Sequence, residues 1–294
     1  MPASDVDGEY ERRLRLDDGR SVTFLDMGKP DGIPVFGLHG TPGSRFKFRG
    51  AHATAMALGI RLIALDRWGY GGSDAPSHAS LDAYAFDLGA CADAVGVDRF
   101  GLIGVSGGGP YAAIAAHCLR ARVTRVGLVS PVGPMIGTGR RQAGLFHRLS
   151  FRVAPRIPGA MRATFEVYRL MARHMPMATV ALAMARAPAA DHAIMSDTKL
   201  RSAMARSFAV GLSRSTRGAV IDMELFSRDW RAMPLGPDVA RLWVGTDDGN
   251  VPVNAARTLA RMTNAYLVEI ERGGHYWMET AWNEVLGWAA ALDP

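Results

Sequence analysis

The residues best placed to do chemistry are Gly104-Val105-Ser106-Gly107-Gly108. An apolar run over 100–105 leads into them, and an apolar, helix-compatible run over 111–119 follows. A serine between glycines at such a strand-to-helix turn can push its hydroxyl out of the sheet, because small neighbours let the two segments pass closely. With 33 glycines in the chain the five letters alone carry little weight, so the reading rests on the strand before and the helix after. A phosphate-cradling turn is disfavoured, since neither a P-loop lysine nor a GxGxxG pattern accompanies it. The expected chemistry is nucleophilic attack by the Ser106 hydroxyl.

A serine hydroxyl needs a base to take its proton. Of the eight histidines, His275 stands in a late glycine-rich loop, Arg272-Gly273-Gly274-His275, after an apolar run. His39, His52, His78, His117, His147, His174 and His192 lack that placement. The base in turn needs an acid that fixes the imidazole tautomer and stabilises the imidazolium. Residues 240–244 form an apolar run that ends in Gly245-Thr246-Asp247-Asp248-Gly249-Asn250-Val251-Pro252, which puts two carboxylates between the serine and the histidine in chain order. An acid after the preceding run is excluded, because that run ends in Ser130-Pro131 and residues 99–165 contain no carboxylate. The residues themselves leave Asp247 or Asp248.

These groups need a scaffold that brings distant loops together. Tyr10, Arg12, Leu14 and Leu16 alternate, Asp17-Asp18-Gly19 turns, and Val22, Phe24 and Leu25 resume, which predicts a β-hairpin. Short apolar runs at 34–38, 61–65, 100–105 and 123–129 are separated by longer segments, including a predicted helix over 81–95. Alternation resumes with strands at 240–244 and 266–270 and helices at 252–262 and 278–292. Runs buried on both faces belong to a mostly parallel sheet flanked by helices, the α/β class. Residues 135–233 differ: they lack strand runs, hold ten of the fifteen methionines, and are broken by Pro155, Pro158, Pro176 and Pro188. The expected organisation is a core domain over 1–134 and 234–294 with a helical cap inserted over 135–233. The cap methionines are expected to pack on the core, the alternative being a flexible apolar pocket lining.

Four segments together resemble the α/β-hydrolase superfamily over nearly the whole chain, with little similarity in the cap. Leu38-His39-Gly40-Thr41-Pro42-Gly43-Ser44 is similar to the family's HGxPG oxyanion loop, and Asp66-Arg67-Trp68-Gly69-Tyr70-Gly71-Gly72-Ser73 to its DRPGYGxS. The serine turn and Gly273-Gly274-His275 complete the set, with Trp68 departing from the family's proline. The resemblance implies an α/β-hydrolase fold and a Ser106–His275–Asp248 triad, Asp248 being selected because Val251-Pro252 follows at the spacing of the family's GxxDxxVP. It also implies an oxyanion hole of the Thr41 and Gly107 backbone amides. His39 and Asp66 are expected to anchor loops. The implied activity is hydrolysis of an ester, thioester or related acyl bond through an acyl-enzyme, with no cofactor or metal. Carbon-carbon bond hydrolysis and proline iminopeptidase-like cleavage use the same triad and stay open as alternatives. Serine rather than aspartate at the turn argues against dehalogenase and epoxide hydrolase chemistry. A non-catalytic ligand receptor is the reading from another class, disfavoured because a binding module has no need of all four parts.

The bulk properties narrow the partners. The formal charge of +6 is uneven: residues 135–233 carry sixteen Arg or Lys against six Asp or Glu. Arg140, Arg141, Arg148, Arg152, Arg156 and Arg162 suit a solvated helix face. Attraction for an anionic substrate or membrane surface is the sharper alternative, and the apolar cap residues leave an apolar acyl portion open. No nucleic-acid motif accompanies the arginines. The longest apolar stretch is broken by Pro176, Arg186 and Pro188, so no membrane span is expected. Residues 1–20 contain no apolar leader run, and Cys91 and Cys118 are expected as buried free thiols, consistent with a reducing cytoplasm.

Overall fold

The computed structural model describes residues 10–134, 148–157 and 159–292. Eight strands form one sheet: β1 (Glu11–Arg15), β2 (Ser21–Gly28), β3 (Ile33–Leu38), β4 (Ile60–Leu65), β5 (Phe100–Val105), β6 (Val123–Val129), β7 (Ala240–Gly245) and β8 (Tyr266–Ile270). Their order is β1-β2-β4-β3-β5-β6-β7-β8, antiparallel at β1/β2 and β2/β4 and parallel from β4 to β8. This is the α/β-hydrolase architecture expected from the sequence. The predicted hairpin closes with Glu11 opposite Leu25 and Arg15 opposite Ser21.

The sheet is covered on both faces, which is why its central strands read as continuous apolar runs. All six residues of β5 are buried. Leu102 faces one layer, packed with residues of α2 (Leu81–Ala94), α3 (Gly108–Cys118) and α9 (Val253–Thr263). Ile103 and Val105 face the other, with α1 (His52–Ala57), the 3-10 turn Arg45–Ala51 and α10 (Trp282–Ala289). The single helix expected over 278–292 is instead a 3-10 turn, Trp277–Thr280, followed by α10, with Ala281 outside helical geometry between them. Cys91 is a buried free thiol in α2, as expected, but Cys118 is exposed, because it ends α3 where that helix meets solvent.

Between β6 and β7 the described residues contain five α-helices: α4 (Ala160–His174), α5 (Pro176–Ala183), α6 (Ala189–Ile194), α7 (Thr198–Gly211) and α8 (Arg217–Ser227). Arg140 and Arg141 lie outside the described residues; Arg148, Arg156 and Arg162 are exposed. Met161, Met184, Met195 and Met223 are buried in packing contacts, whereas Met175, Met177 and Met233 are exposed. The insert docks on the core at several points. Arg206 lies over the Phe46 ring at 4.2 Å, and the Ser44 amide donates to Ser207 Oγ at 3.0 Å. Val180, Met184, Met195 and Ala205 form a small apolar cluster with Tyr276, the residue after His275.

The strand order reverses direction between β3 and β5, and in open α/β sheets the crevice beyond the carboxyl ends of the strands at such a point is the natural ligand site. Residues 39–44 follow β3 there and Ser106 follows β5. The loops after β7 and β8 leave the same end of the sheet.

Candidate active site

Ser106 sits between β5 and α3 with φ of +52°, a left-handed backbone that a side-chain-bearing residue seldom adopts. The surroundings hold it there. Its amide donates to Val129 O at 2.8 Å, and its carbonyl accepts from the amides of Gly109 at 2.9 Å and Val132 at 3.0 Å. The end of β6 and the segment after it therefore clamp the turn through the backbone. The Ser106 hydroxyl makes no hydrogen bond among the described residues.

The acid and base predicted from the loops after β7 and β8 meet. Asp248 Oδ2 lies 2.7 Å from His275 Nδ1, and the Asp248 side chain has no exposed surface. Its other oxygen accepts the amides of Asn250 at 2.8 Å and Val251 at 3.0 Å, so the carboxylate is locked by its own turn. Asp247 is exposed and is not paired with His275. With Nδ1–H donating to the carboxylate, His275 Nε2 is the nitrogen left to accept a proton. Nε2 makes no hydrogen bond to Ser106 among the described residues.

The expected oxyanion donors are neighbours. A methyl group placed on Gly107 would lie 3.1 Å from the Thr41 backbone nitrogen and 2.0 Å from its Oγ1, so only glycine allows this approach. Neither the Thr41 nor the Gly107 amide donates to a protein acceptor among the described residues. Two adjacent amides left undonated beside a serine hydroxyl can receive a developing oxyanion.

The loop that carries Thr41 is held by a buried network. His39 is fully buried; its Nε2 accepts the Arg67 amide at 3.1 Å, which leaves Nδ1 to donate to Gly40 O at 2.8 Å. Burial, with Arg67 nearby, pushes the His39 imidazole well below its ordinary value, so it stays neutral and structural. The Arg67 guanidinium donates to His39 O at 2.8 Å and Gly40 O at 3.1 Å. It also grips Asp222 of α8 with two parallel bonds of 2.6 and 2.7 Å. Asp222, 1 % exposed, further accepts from the hydroxyls of Tyr70 and Tyr111, each at 2.6 Å, and from Thr41 Oγ1. Desolvation raises both phenols well above their ordinary range, so they remain donors. Asp66 anchors the neighbouring loop, accepting from the Arg45 amide and guanidinium and from Gly72 N. Trp68, where the resemblance departs, turns inward: it is buried, and its Nε1 donates to Asp87 Oδ2 at 2.7 Å.

Two carboxylates of the insert, Asp191 and Asp222, lie against this machinery without having been singled out in the sequence. The available signal was an acid within apolar helical runs, Ala189-Ala190-Asp191 and Val220-Ile221-Asp222-Met223, in a segment otherwise rich in arginine. Among the described residues no cluster of three or more His, Cys, Asp or Glu is placed to hold a metal ion. No helix among them is long and apolar enough to cross a membrane.

A profile described as "Alpha/beta hydrolase family" matches residues 35–288. A non-heme chloroperoxidase of Streptomyces lividans is 37 % identical over 121 residues, which covers 40 % of this chain and 44 % of that protein. The chain thus spans less than half the length of that curated relative. Among solved structures, an α/β-hydrolase fold protein from Nakamurella multipartita superposes with a TM-score of 0.68 at 22 % identity, over 96 % of this chain and 99 % of the other. An esterase from Rhodococcus sp. ECU1013 gives 0.68 at 23 % identity, over 97 % and 100 %. Epoxide hydrolase A from Mycobacterium thermoresistibile gives 0.66 at 18 %, over 94 % and 96 %.

Proposed function

The chain belongs to the alpha/beta hydrolase family, and within that family we propose that it is a serine hydrolase acting on an ester, thioester or related acyl bond. The observation that carries the proposal is the 2.7 Å pairing of His275 Nδ1 with the buried Asp248 carboxylate, which leaves Nε2 as the base. In the reaction, Ser106 Oγ attacks the substrate carbonyl carbon and its proton passes to His275 Nε2. Asp248 stabilises the imidazolium, and the Thr41 and Gly107 amides receive the negative oxygen. Collapse expels the leaving group, which takes the proton from His275, and leaves an acyl-Ser106 ester. Water, deprotonated by the same nitrogen, then releases the acid and restores the serine.

The helices between β6 and β7 act as a cap over the carboxyl ends of the strands and shape the acyl pocket. Serine at position 106 separates this reading from epoxide hydrolase chemistry, despite the likeness in fold. The match to a protein named non-heme chloroperoxidase favours one second reading, in which hydrogen peroxide in place of water takes the acyl group from Ser106 and restores the serine; the peracid so formed oxidises halide to hypohalous acid and is itself reduced to the carboxylic acid.

The test is a panel of short p-nitrophenyl esters and acyl thioesters, with acid quenching during turnover and mass spectrometry of the protein. A mass increment equal to the acyl group on the peptide containing Ser106, absent in Ser106→Ala, is the expected result. No ester or thioester turnover, with cleavage of a vinylogous diketone or a prolyl amide instead, would overturn the acyl specificity. Chlorination of an activated carbon acid that needs hydrogen peroxide and a carboxylic acid would support the second reading.

A further inference from the structure

Helix α6 brings one side chain of the insert directly onto the loop that carries the base. Asp191 has no exposed surface, and its two oxygens accept two consecutive amides: Oδ2 from His275 N at 2.6 Å and Oδ1 from Tyr276 N at 3.0 Å. The residue before them is Gly274, where a methyl group would stand 2.1 Å from Asp191 Oδ2. The loop therefore closes onto the carboxylate only because that position lacks a side chain. The ionisable groups facing Asp191 are His275, Tyr276 and Asp248. No lysine or arginine pairs with it among the described residues.

A carboxylate kept from water without a cation is costly, even when two amides satisfy its oxygens. Burial raises the Asp191 carboxyl above its ordinary value while the two amides pull the other way. A neutral isostere does not fit the same place, because asparagine offers one acceptor oxygen and would turn its NH2 toward one of the two donors. The same loop also presents the imidazole whose Nδ1 is held by Asp248. A second negative charge therefore sits behind the imidazole, supplied by a different element from the first.

We propose that Asp191 is a positioning residue for His275: it fixes the backbone from which the imidazole projects and, with Asp248, stabilises the imidazolium formed in the reaction. The inference rests on the reading of Ser106, His275 and Asp248 as a triad. It makes the insert part of the catalytic geometry as well as a cover for the substrate. The carboxylate acts through the loop and the field and does not touch the reacting atoms.

The experiment compares full-length wild type, Asp191→Asn, Asp191→Glu and Gly274→Ala with one p-nitrophenyl ester, recording kcat, KM, the pH dependence of kcat/KM and thermal melting. Asp191→Asn is expected to lower kcat by about tenfold or more with KM little changed, as a displaced catalytic group would. It is also expected to move the acid limb of kcat/KM to lower pH, because the imidazolium loses a nearby negative charge. Asp191→Glu keeps the charge and disturbs the distances, so it should lower kcat and leave the acid limb in place. Gly274→Ala, which pushes the loop off the carboxylate, should reproduce the loss in kcat even if Asp191→Asn does not fold. Wild-type kcat in both Asp191→Asn and Gly274→Ala, or losses that follow melting temperature with an unmoved acid limb, would overturn the proposal alone. A folded wild-type chain that turns over no ester, thioester, vinylogous diketone or prolyl amide, and whose Ser106 is not labelled by a fluorophosphonate, would remove the triad reading and this inference together.

Discussion

At the scale of single residues, the site depends on carboxylates that hold other groups in place. Asp248 fixes the tautomer of His275, and Asp248→Asn keeps the shape but reverses that preference; kcat should fall by about 10³ to 10⁴, with KM little altered. Steady-state kinetics on one ester checks this. Asp222 is a different case: Asp222→Ala leaves the Arg67 guanidinium buried without its bidentate partner and three hydroxyls without an acceptor. Breaking a buried ion pair from one side costs about 3–5 kcal/mol. Denaturant unfolding should therefore show a large loss, and the residual activity should be low because the Thr41 loop loses its anchor. The proposed triad residues could be picked out in the sequence because each follows an apolar run within its own short motif. Asp191 and Asp222 were not, because their partners lie 84 and 155 residues away in sequence and no local pattern encodes such meetings.

At the scale of elements, the central strands announced themselves as apolar runs with punctuated ends, and β5, β6 and β8 match the expected bounds. Their lateral order, with β4 outside β3, rests on long crossovers that periodicity does not report. The break at Ala281 was equally hidden, since an apolar stretch over 278–292 reads as one helix whether or not its first turn tightens. The two cysteines offer a test of how α2 and α3 sit. The Cys91 thiol is buried and pushed up to about 12, so its reactive thiolate is scarce at neutral pH, while Cys118 is exposed and raised less, by burial and Asp82. Thiol titration near pH 8 should find one slowly reacting group in the native chain and two in denaturant. Two fast thiols in the native chain would contradict this packing.

At the scale of the whole molecule, one segment carries the basic charge: sixteen Arg or Lys against six Asp or Glu over residues 135–233. Exposed charges act over roughly 10 Å at 0.1 M salt, so their pull on a ligand weakens as salt is added. An ester with an anionic acyl group should lose kcat/KM with rising salt while a neutral isostere does not. Equal and salt-insensitive rates would leave the arginines as a solvated face with no part in substrate capture.

The central claim is that β5, β6 and the loops after β3, β7 and β8 converge to make Ser106 a nucleophile. The most direct measurement is reaction of the purified chain with a fluorophosphonate, with the modified peptide located by mass spectrometry. The account predicts stoichiometric modification at Ser106, lost in Ser106→Ala and strongly slowed in His275→Ala. A folded chain that is not labelled, or is labelled elsewhere, would contradict it.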